Sequence, residues 1–381
     1  MIRRIIHTHK KTASPRLPGA RFLILACIAV LCFAACGQNP IFYEISNEVE
    51  PKEPLIKGAP SQIVEFQSKL YVGRKNLYVY EDIGNGKPEW TKMDVKPEGE
   101  VHDIATTGSH LYALTMDGSD YRSTKLWKSA DAQTWVALAN TTEYSVLQGA
   151  YAAGGVLFIG ARNTGNNDHA ILYDNGTSLV PIKTGLGSNG RLTGAAIEGP
   201  NLYISILDAG IFSATSAAGL AAAQAIDGSD ISQLITGIIN VQGTILAVTN
   251  DEKIYAGTTA GFSQKISKGD MKFTGALALW EKNGTHLLLL GIDYQSGSYT
   301  YGYREMLLTS TGELSDYTLR EPGEDASTVT NRSRYRSTLG RHVVRSLMQT
   351  PFAIDPEQTL FASTQKDGLW SYRDEEWNAE E

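Results

Sequence analysis

The stretch Leu126–Leu138 reads Leu-Trp-Lys-Ser-Ala-Asp-Ala-Gln-Thr-Trp-Val-Ala-Leu. Apolar residues at its two ends flank a short polar segment that contains Ser129, Asp131 and Thr134. Ser and Asp favour turns because their side chains form hydrogen bonds with nearby backbone groups. The stretch therefore predicts a strand, a tight turn and a second strand, and weaker copies of its pattern recur along the chain.

The repeat consists of an apolar residue followed by an aromatic or second apolar residue, placed directly after a turn signal. A second pair of the same kind follows each first pair, and turn residues separate the segments. Successive first pairs are 41 to 46 residues apart, except before the last, where the spacing is 73. The first pairs are Leu70-Tyr71, Leu111-Tyr112, Leu157-Phe158, Leu202-Tyr203, Ile245-Leu246, Leu287-Leu288 and Leu360-Phe361.

Each unit thus contains four short segments of strand character joined by turns, which is typical of one blade of a β-propeller. We predict an all-β fold with seven four-stranded blades, with six or eight blades as alternatives. A pair of β-sandwiches would not keep seven units in near register, and the coils of a solenoid are usually shorter. Small residues in the first strand of several units fit an inner strand crowded around the axis. Residues near Leu55–Val64 could complete the last blade.

The turn within the opening stretch resembles the short form of the Asp-box of BNR-type propellers, a group that includes sialidases. The resemblance rests on Ser129, Asp131, Thr134 and Trp135. It implies that Ser and Asp stabilise the turn between outer strands and that Trp packs into the blade. Because an Asp-box is a structural element, Asp131 is not a catalytic candidate, and we predict no catalytic residues. A sialidase would also need an arginine cluster and a Tyr/Glu pair, and no Phe/Tyr-Arg-Ile-Pro motif lies near the start.

The N-terminus has the organisation of a secretory signal peptide. Residues 1–21 are basic, and Phe22–Ala35 is an apolar run that is too short to span a bilayer comfortably. Phe33-Ala34-Ala35-Cys36 resembles the bacterial lipobox, although Phe33 stands where Leu is usual. This resemblance implies that residues 1–35 are removed and that Cys36 carries acyl chains that anchor the protein in the membrane. The alternatives are a plain signal peptide and a short anchor helix.

We interpret residues 36–58 as a flexible tether and residues 59–381 as the propeller domain. Gly37 follows the acylated cysteine, and by resemblance to enterobacterial sorting rules the absence of Asp there favours the outer membrane. The body of the chain contains no cysteine, because Cys27, Cys32 and Cys36 are the only three. The sequence therefore excludes a disulfide, a thiolate nucleophile and a cysteine-based metal site from the propeller.

Charge also limits the function. The chain has a formal net charge of -7, but residues 1–35 carry six Lys or Arg and no acidic residue, so the remainder has 28 basic and 41 acidic side chains. An acidic surface repels phosphate backbones, and we expect no nucleic-acid binding. The histidines show no metal-binding spacing. The polar loops Asn163–Asp168 and Asp117–Asp120 could be considered for calcium, but ordinary turns explain them better. We expect no cofactor and no metal.

The long spacing before the last unit indicates an insertion at about residues 319–344. It contains most of the one basic cluster of an acidic domain, and the Tyr-rich segment with Tyr294, Tyr299, Tyr301 and Tyr303 precedes it. Arginines recognise carboxylates and sulfates, and exposed tyrosines anchor interfaces, although these arginines could instead pair with the many Asp and Glu side chains of the chain. The candidate partner-binding residues are Arg332, Arg334, Tyr335, Arg336, Arg341 and Arg345.

These observations favour a lipid-anchored envelope protein that acts as a non-catalytic binding or assembly scaffold through one propeller face. Its partner would be an envelope protein or a glycan. The alternative is a carbohydrate-binding or sialidase-like protein that acts on glycans. The two functions predict different geometry, because an enzyme should bring two carboxylates and basic groups together at the axial mouth, whereas a scaffold needs only a broad loop surface.

Overall fold

The computed structural model describes residues 55–82, 84, 86–118, 120–139, 141–226, 234–267, 271–293, 302–320, 322, 339, 342–373 and 376–380. Cys36, the preceding residues and most of the insertion at 319–344 lie outside this set. Within it, no helix has the length and apolar character needed to cross a membrane. A short 3₁₀ turn lies at Ala218–Ala221.

Seven antiparallel sheets, each a meander of consecutive strands, make up the fold. The first four blades contain β1 (Ile63–Phe66), β2 (Lys69–Arg74), β3 (Asn76–Asp82) and β4 (Pro88–Lys92); β5 (Glu100–Thr106), β6 (Leu111–Asp117), β7 (Asp120–Ser129) and β8 (Val136–Leu138); β9 (Val146–Ala153), β10 (Val156–Arg162), β11 (His169–Asp174) and β12 (Leu179–Lys183); and β13 (Leu192–Glu198), β14 (Asn201–Ile206) and β15 (Gly210–Ala214). The last three contain β16 (Ile235–Val241), β17 (Thr244–Thr249), β18 (Lys253–Thr258) and β19 (Gly261–Ser267); β20 (Lys272–Lys282), β21 (Thr285–Asp293) and β22 (Tyr303–Leu307); and β23 (Val344–Gln349), β24 (Leu360–Thr364), β25 (Leu369–Arg373) and β26 (Glu376–Ala379).

The predicted seven-bladed propeller is confirmed. Each recurring first pair lies in the second strand of its blade, as Leu202-Tyr203 does in β14. In the described residues, the fourth and sixth blades have three strands. An isolated β-bridge lies at the outer edge of each, between Phe212 and Ala225 in the fourth blade and between Glu305 and Arg320 in the sixth. The second strands are nearly continuous apolar runs because each sheet packs against a neighbour on both faces.

The hydrophobic core is divided into seven clusters, one between each pair of adjacent blades. The cluster between the last and first blades closes the ring and is rich in aromatic side chains. Phe361 meets Tyr80 and Trp90 edge-on, with ring centroids 5.0 and 5.3 Å away. Edge-to-face pairs of this kind add to the stabilisation from apolar burial. The Tyr80 hydroxyl also donates to the buried carboxylate of Asp355 at 3.4 Å.

Ring closure differs in one respect from the sequence-based expectation. All four strands of the last blade come from the C-terminal part of the chain, so among the described residues no N-terminal strand completes it. Instead, Ile56 is fully buried in the closing cluster, and the Gly368 amide donates to the Gly58 carbonyl at 2.8 Å. The packed domain thus includes residues that the sequence pattern assigns to the end of the tether.

The meander gives the propeller two different faces. Inner strands begin at one face, where the connections between blades and the turns between second and third strands also lie. We call this the mouth face. The other face carries the turns between first and second strands and between third and fourth strands. Ser129–Trp135 belongs to this opposite face because it joins β7 to β8.

Candidate functional site

A cavity at the centre of the ring opens toward the mouth face. Its two adjoining parts have volumes of about 260 and 530 Å³, and residues of all seven blades contribute to their walls. Both parts share Asp103, Tyr151 and Arg345, together with three threonines, Thr193, Thr236 and Thr274. We call this cavity the axial mouth.

A β-bulge in six of the seven inner strands supplies side chains to the axial mouth. The pairing register shifts around one residue in five of these strands and around residues 274–276 in β20. A bulge redirects a side chain and often lies beside a functional site. The residues at these positions all line the cavity: His102, Gln148, Thr193, Thr236, Thr274 and Arg345.

Glycines next to these bulges allow the inner strands to approach closely. A Cβ atom at Gly237 would lie 2.6 Å from the Gly275 carbonyl oxygen, and one at Gly275 would lie 2.0 Å from the Thr236 carbonyl oxygen. Gly275 also has a φ of +88°, which side-chain-bearing residues rarely adopt. Crowding near the axis therefore explains the small residues of the inner strands.

Two accessible arginines give the axial mouth its positive charge. Arg345, one of the sequence-based candidates, lies in β23 and projects into the cavity, and Arg191 lies just before β13. Neither forms an ion pair with any residue that the structure describes. The other insertion candidates (Arg332, Arg334, Tyr335, Arg336 and Arg341) lie outside the described residues, so their partner-binding role stays a prediction.

Asp103 is the acidic residue among the described residues that line the axial mouth. Its carboxylate accepts hydrogen bonds from the backbone amides of Ala150 and Ile104, both at 3.0 Å. Burial raises its pKa to about 6, although these hydrogen bonds and the charge of Arg345 act in the opposite direction. Near neutral pH, one negative charge therefore lies beside two positive ones, and it is lost on mild acidification.

Gln62 connects three blades at the wall of the axial mouth. Its Nε2 donates to the carbonyl oxygens of Ile104 at 2.7 Å and Ala150 at 2.5 Å. These residues belong to the inner strands of the second and third blades, whereas Gln62 directly precedes β1. The side chain thus satisfies backbone acceptors that no neighbouring strand reaches.

Two other side chains of the wall have a polar atom without a hydrogen-bond partner. His102 Nε2 and Gln148 Oε1 are both buried and unpaired within the described chain. Burial and the charge of Arg345 lower the pKa of His102 to about 4, so its ring is neutral at pH 7. An unpaired buried polar atom costs about 1–3 kcal/mol, and such an atom in a native cavity is a reason to consider a ligand.

The turn predicted from Ser129, Asp131, Thr134 and Trp135 is held by local hydrogen bonds. Asp131 Oδ1 accepts from the amides of Gln133 at 2.8 Å and Thr134 at 2.6 Å, and from the Ser129 hydroxyl at 3.0 Å. The two backbone hydrogen bonds in particular lower the pKa of Asp131 to about 2. Trp135 packs against the cluster between the first two blades. These contacts are those expected of a stabilised turn, while the Asp-box resemblance itself stays a prediction.

The polar loop Asn163–Asp168 forms a turn. In Asn163–Asp168 the side-chain oxygens of Asn163 and Asn166 accept backbone amides of their own loop, at 2.7 and 2.9 Å. His169 is buried. Within the described ranges, no group of three His, Cys, Asp or Glu side chains could hold a metal ion.

Sequence reasoning singled out Arg345 but missed the rest of the axial mouth. A signal was nevertheless present, because the dipeptide Thr-Gly recurs at Thr193-Gly194, Thr236-Gly237 and Thr274-Gly275. Each copy lies about one blade apart and marks the bulge of an inner strand. In three other blades the corresponding bulge position is occupied by His102, Gln148 and Arg345 instead of Thr. These side chains add a ring nitrogen, an amide and a positive charge to the site.

Comparison with known proteins supports the fold and relates the chain to a lipoprotein. No protein-family profile matches it. An uncharacterized lipoprotein of Treponema pallidum (strain Nichols) is 24% identical over 407 residues, which cover 93% of this chain and 99% of that protein. This relative is consistent with attachment of the chain to the cell envelope.

Two solved structures illustrate the likeness in fold. PorZ, an essential bacterial surface component of the type-IX secretion system of Porphyromonas gingivalis, matches with a TM-score of 0.50 and 13% identity, over 86% of this chain and 39% of PorZ. Virginiamycin B lyase from Staphylococcus aureus matches with a TM-score of 0.52 and 11% identity, over 83% of this chain and 97% of the lyase. At these identities the two likenesses support the propeller fold and no shared activity, so the chain is a seven-bladed β-propeller related in sequence to a lipoprotein.

Proposed function

We propose that this protein is an envelope lipoprotein, anchored through acyl chains on Cys36, whose propeller is a non-catalytic binding or assembly scaffold. The observation that carries the proposal is the axial mouth, where accessible Arg191 and Arg345 lie among polar side chains from several blades. The relationship to a lipoprotein supports the anchor. The outer membrane, facing the periplasm or the cell surface, is the location that the residue after Cys36 favours.

The chemistry of the axial mouth supports binding over hydrolysis. Most glycosidases use two carboxyl groups that flank the scissile bond. The described residues of the axial mouth supply one, Asp103, and its hydrogen bonds from Ala150 and Ile104 hold it against the wall. A single carboxyl group is compatible with glycan binding, because arginine and hydroxyl-bearing side chains can recognise sugars without cleaving them. Glycan binding is therefore the second candidate function.

The strand ends that flank the two long segments interrupting the repeat lie at the mouth face. β21 ends at Asp293 and β22 begins at Tyr303, while β23 begins at Val344, and all three strand ends lie at the mouth face. Gly302 approaches Leu339, since a Cβ at Gly302 would lie 2.9 Å from the Leu339 carbonyl oxygen. The proposed partner surface is therefore the mouth face with the insertion beside it.

Site-specific photocrosslinking in whole cells tests this assignment. A photoreactive amino acid at Asn189, which is exposed two residues before Arg191, should give a defined crosslinked species that mass spectrometry can identify. The matched control is Phe352, which is 67% exposed but lies in the connection between β23 and β24 on the opposite face. Equal crosslinking from both positions, or none from Asn189, would contradict the proposal.

A pull-down from detergent-solubilised membranes tests the insertion. Replacing Arg334, Arg336 and Arg341 by Ala should abolish capture of the crosslinked partner if those arginines contact it. Unchanged capture would remove the insertion from the binding surface.

Lipid attachment is tested separately. Globomycin should cause an unprocessed precursor to accumulate if Cys36 is acylated and the signal peptide is then removed. A mature protein of unchanged size under globomycin would count against Cys36.

A further inference from the structure

We propose that the axial mouth binds a small ligand that carries a carboxylate together with hydroxyl groups, and that Arg191 and Arg345 bind the carboxylate. This inference rests on the proposed binding function and specifies the chemistry of its site. Ligand pockets usually have volumes of several hundred Å³, and the larger part of the axial mouth, at about 530 Å³, falls in this range.

The charge of the site favours an anion. Arg191 and Arg345 are accessible within the cavity and form no ion pair with a described residue, although the charge of Arg345 acts on Asp103, whereas the propeller as a whole is acidic. A guanidinium presents a planar fork of donors that fits a carboxylate. Both arginines line the larger part of the cavity, together with Tyr151.

The remaining wall favours hydroxyl groups on the same ligand. Five polar side chains line the cavity and supply donors and acceptors: His102, Gln148, Thr193, Thr236 and Asn250. Two of their atoms, His102 Nε2 and Gln148 Oε1, are buried behind this wall without a hydrogen-bond partner in the described chain. A hydroxyl group can both donate and accept, so it satisfies a mixed wall of this kind. An apolar acid would instead leave these groups unpaired. A sugar acid combines the required groups on a compact ring.

The test uses three probes of similar size and the full-length, acylated protein purified in detergent. Glucuronate has both the carboxylate and the hydroxyls, glucose lacks the carboxylate, and cyclohexanecarboxylate lacks the hydroxyls. Isothermal titration calorimetry should show binding of glucuronate that is at least about tenfold tighter than binding of either other probe, because each loses hydrogen bonds that involve a charged or buried group. Affinity for glucuronate no higher than for glucose would overturn the proposal.

Variants locate the binding. Arg345→Gln and Arg191→Gln should each weaken glucuronate binding about tenfold through the loss of a charged hydrogen-bond donor. Lys92→Gln is the matched control, because it removes one exposed positive charge from β4. Near-ultraviolet circular dichroism verifies that each variant is folded. If all three variants bind glucuronate equally, the site is elsewhere and the inference is wrong.

A second arm distinguishes the source of the ligand. Methyl β-glucuronide has a blocked anomeric carbon, as in the terminal residue of a glycan. Binding that is retained with this probe supports a glycan end group, and binding of free glucuronate alone supports a free sugar acid. If all uronate probes fail while crosslinking from Asn189 still identifies a partner, the present inference fails and the scaffold function stands.

Discussion

The turn Ser129–Trp135 and the axial mouth both consist of polar groups, but their hydrogen bonds span very different lengths of chain. Asp131 binds groups no more than three residues away, on the exposed face opposite the mouth. In the mouth, Gln62 reaches Ala150, 88 residues further along, and the Ile63 amide donates to the hydroxyl of Ser346, 283 residues further along. The hydrogen bonds of Asp131 therefore form within one hairpin, and the turn receives one bond from another blade, from Gln67 Nε2 to the Ala130 carbonyl at 2.8 Å. The mouth, by contrast, exists only when all seven blades have closed into a ring.

The largest effect should come from separating the inner strands at the mouth. Gly275→Ala places a Cβ against the Thr236 carbonyl oxygen, at a φ of +88°, so we expect a loss of at least about 3 kcal/mol in the free energy of unfolding. Gly243→Ala is the control, with a φ of +84° and nothing within 4 Å, and should cost about 1–2 kcal/mol from conformation alone. Urea denaturation measures both, and equal losses would show that backbone approach is unimportant.

A smaller effect is expected from removing the link between blades. Gln62→Met leaves two partly buried carbonyls without their donor and should cost about 1–3 kcal/mol. Gln349→Met also removes two hydrogen bonds between blades, to the backbone of Glu281, but these are exposed and water can replace them. We therefore expect a smaller decrease in melting temperature for Gln349→Met. The reverse order would contradict the structural role of Gln62.

Substitution of Asp131 in the turn should lower the stability of the protein modestly, and the loss should depend on pH. Asp131 has a pKa of about 2, below its ordinary value of 3.8, so its contribution to stability is present above pH 3.8 and is lost as the pH falls through about 2. Asp131→Asn should lower the melting temperature at pH 6, and the difference from the wild type should shrink toward pH 2. Asp94→Asn, at an exposed carboxylate, is the control. Glucuronate binding should be unchanged in Asp131→Asn.

The smallest effect should be a pH dependence of binding in the mouth. Asp103 has a pKa of about 6, so lowering the pH from 7 to 5 removes the negative charge beside the ligand carboxylate, and affinity for glucuronate should rise several-fold. The charged and titratable neighbours Arg191, Arg345, Tyr151 and His102 keep their charge states over this range, since the pKa of His102 is about 4 and that of Tyr151 about 12. Asp103→Asn should remove the dependence, and its persistence in this variant would exclude Asp103 as the cause.

Much of the fold could be predicted from the sequence because each blade is formed by residues that are close together in the chain. Each blade contains its own strand-turn-strand signals, and pairs such as Leu70-Tyr71 mark second strands that are buried on both faces. The closing contacts were less predictable. Ile56 and the aromatic cluster around Phe361 join the two ends of the domain, and no local pattern specifies which residues meet across that distance.

The propeller class, the preference for seven blades over six or eight, and the turn at Asp131 could be predicted from the sequence, since they follow from periodicity and from side chains that bond to their own neighbours. Which polar residues converge depends on the tertiary structure. No sequence pattern groups His102, Gln148 and Arg191 with Arg345, which is a candidate only as part of the basic cluster. They form one site because His102, Gln148 and Arg345 lie at bulges of inner strands and Arg191 directly precedes such a strand, so that all four line the cavity on the axis. Their convergence depends on ring closure, which is a property of the whole chain.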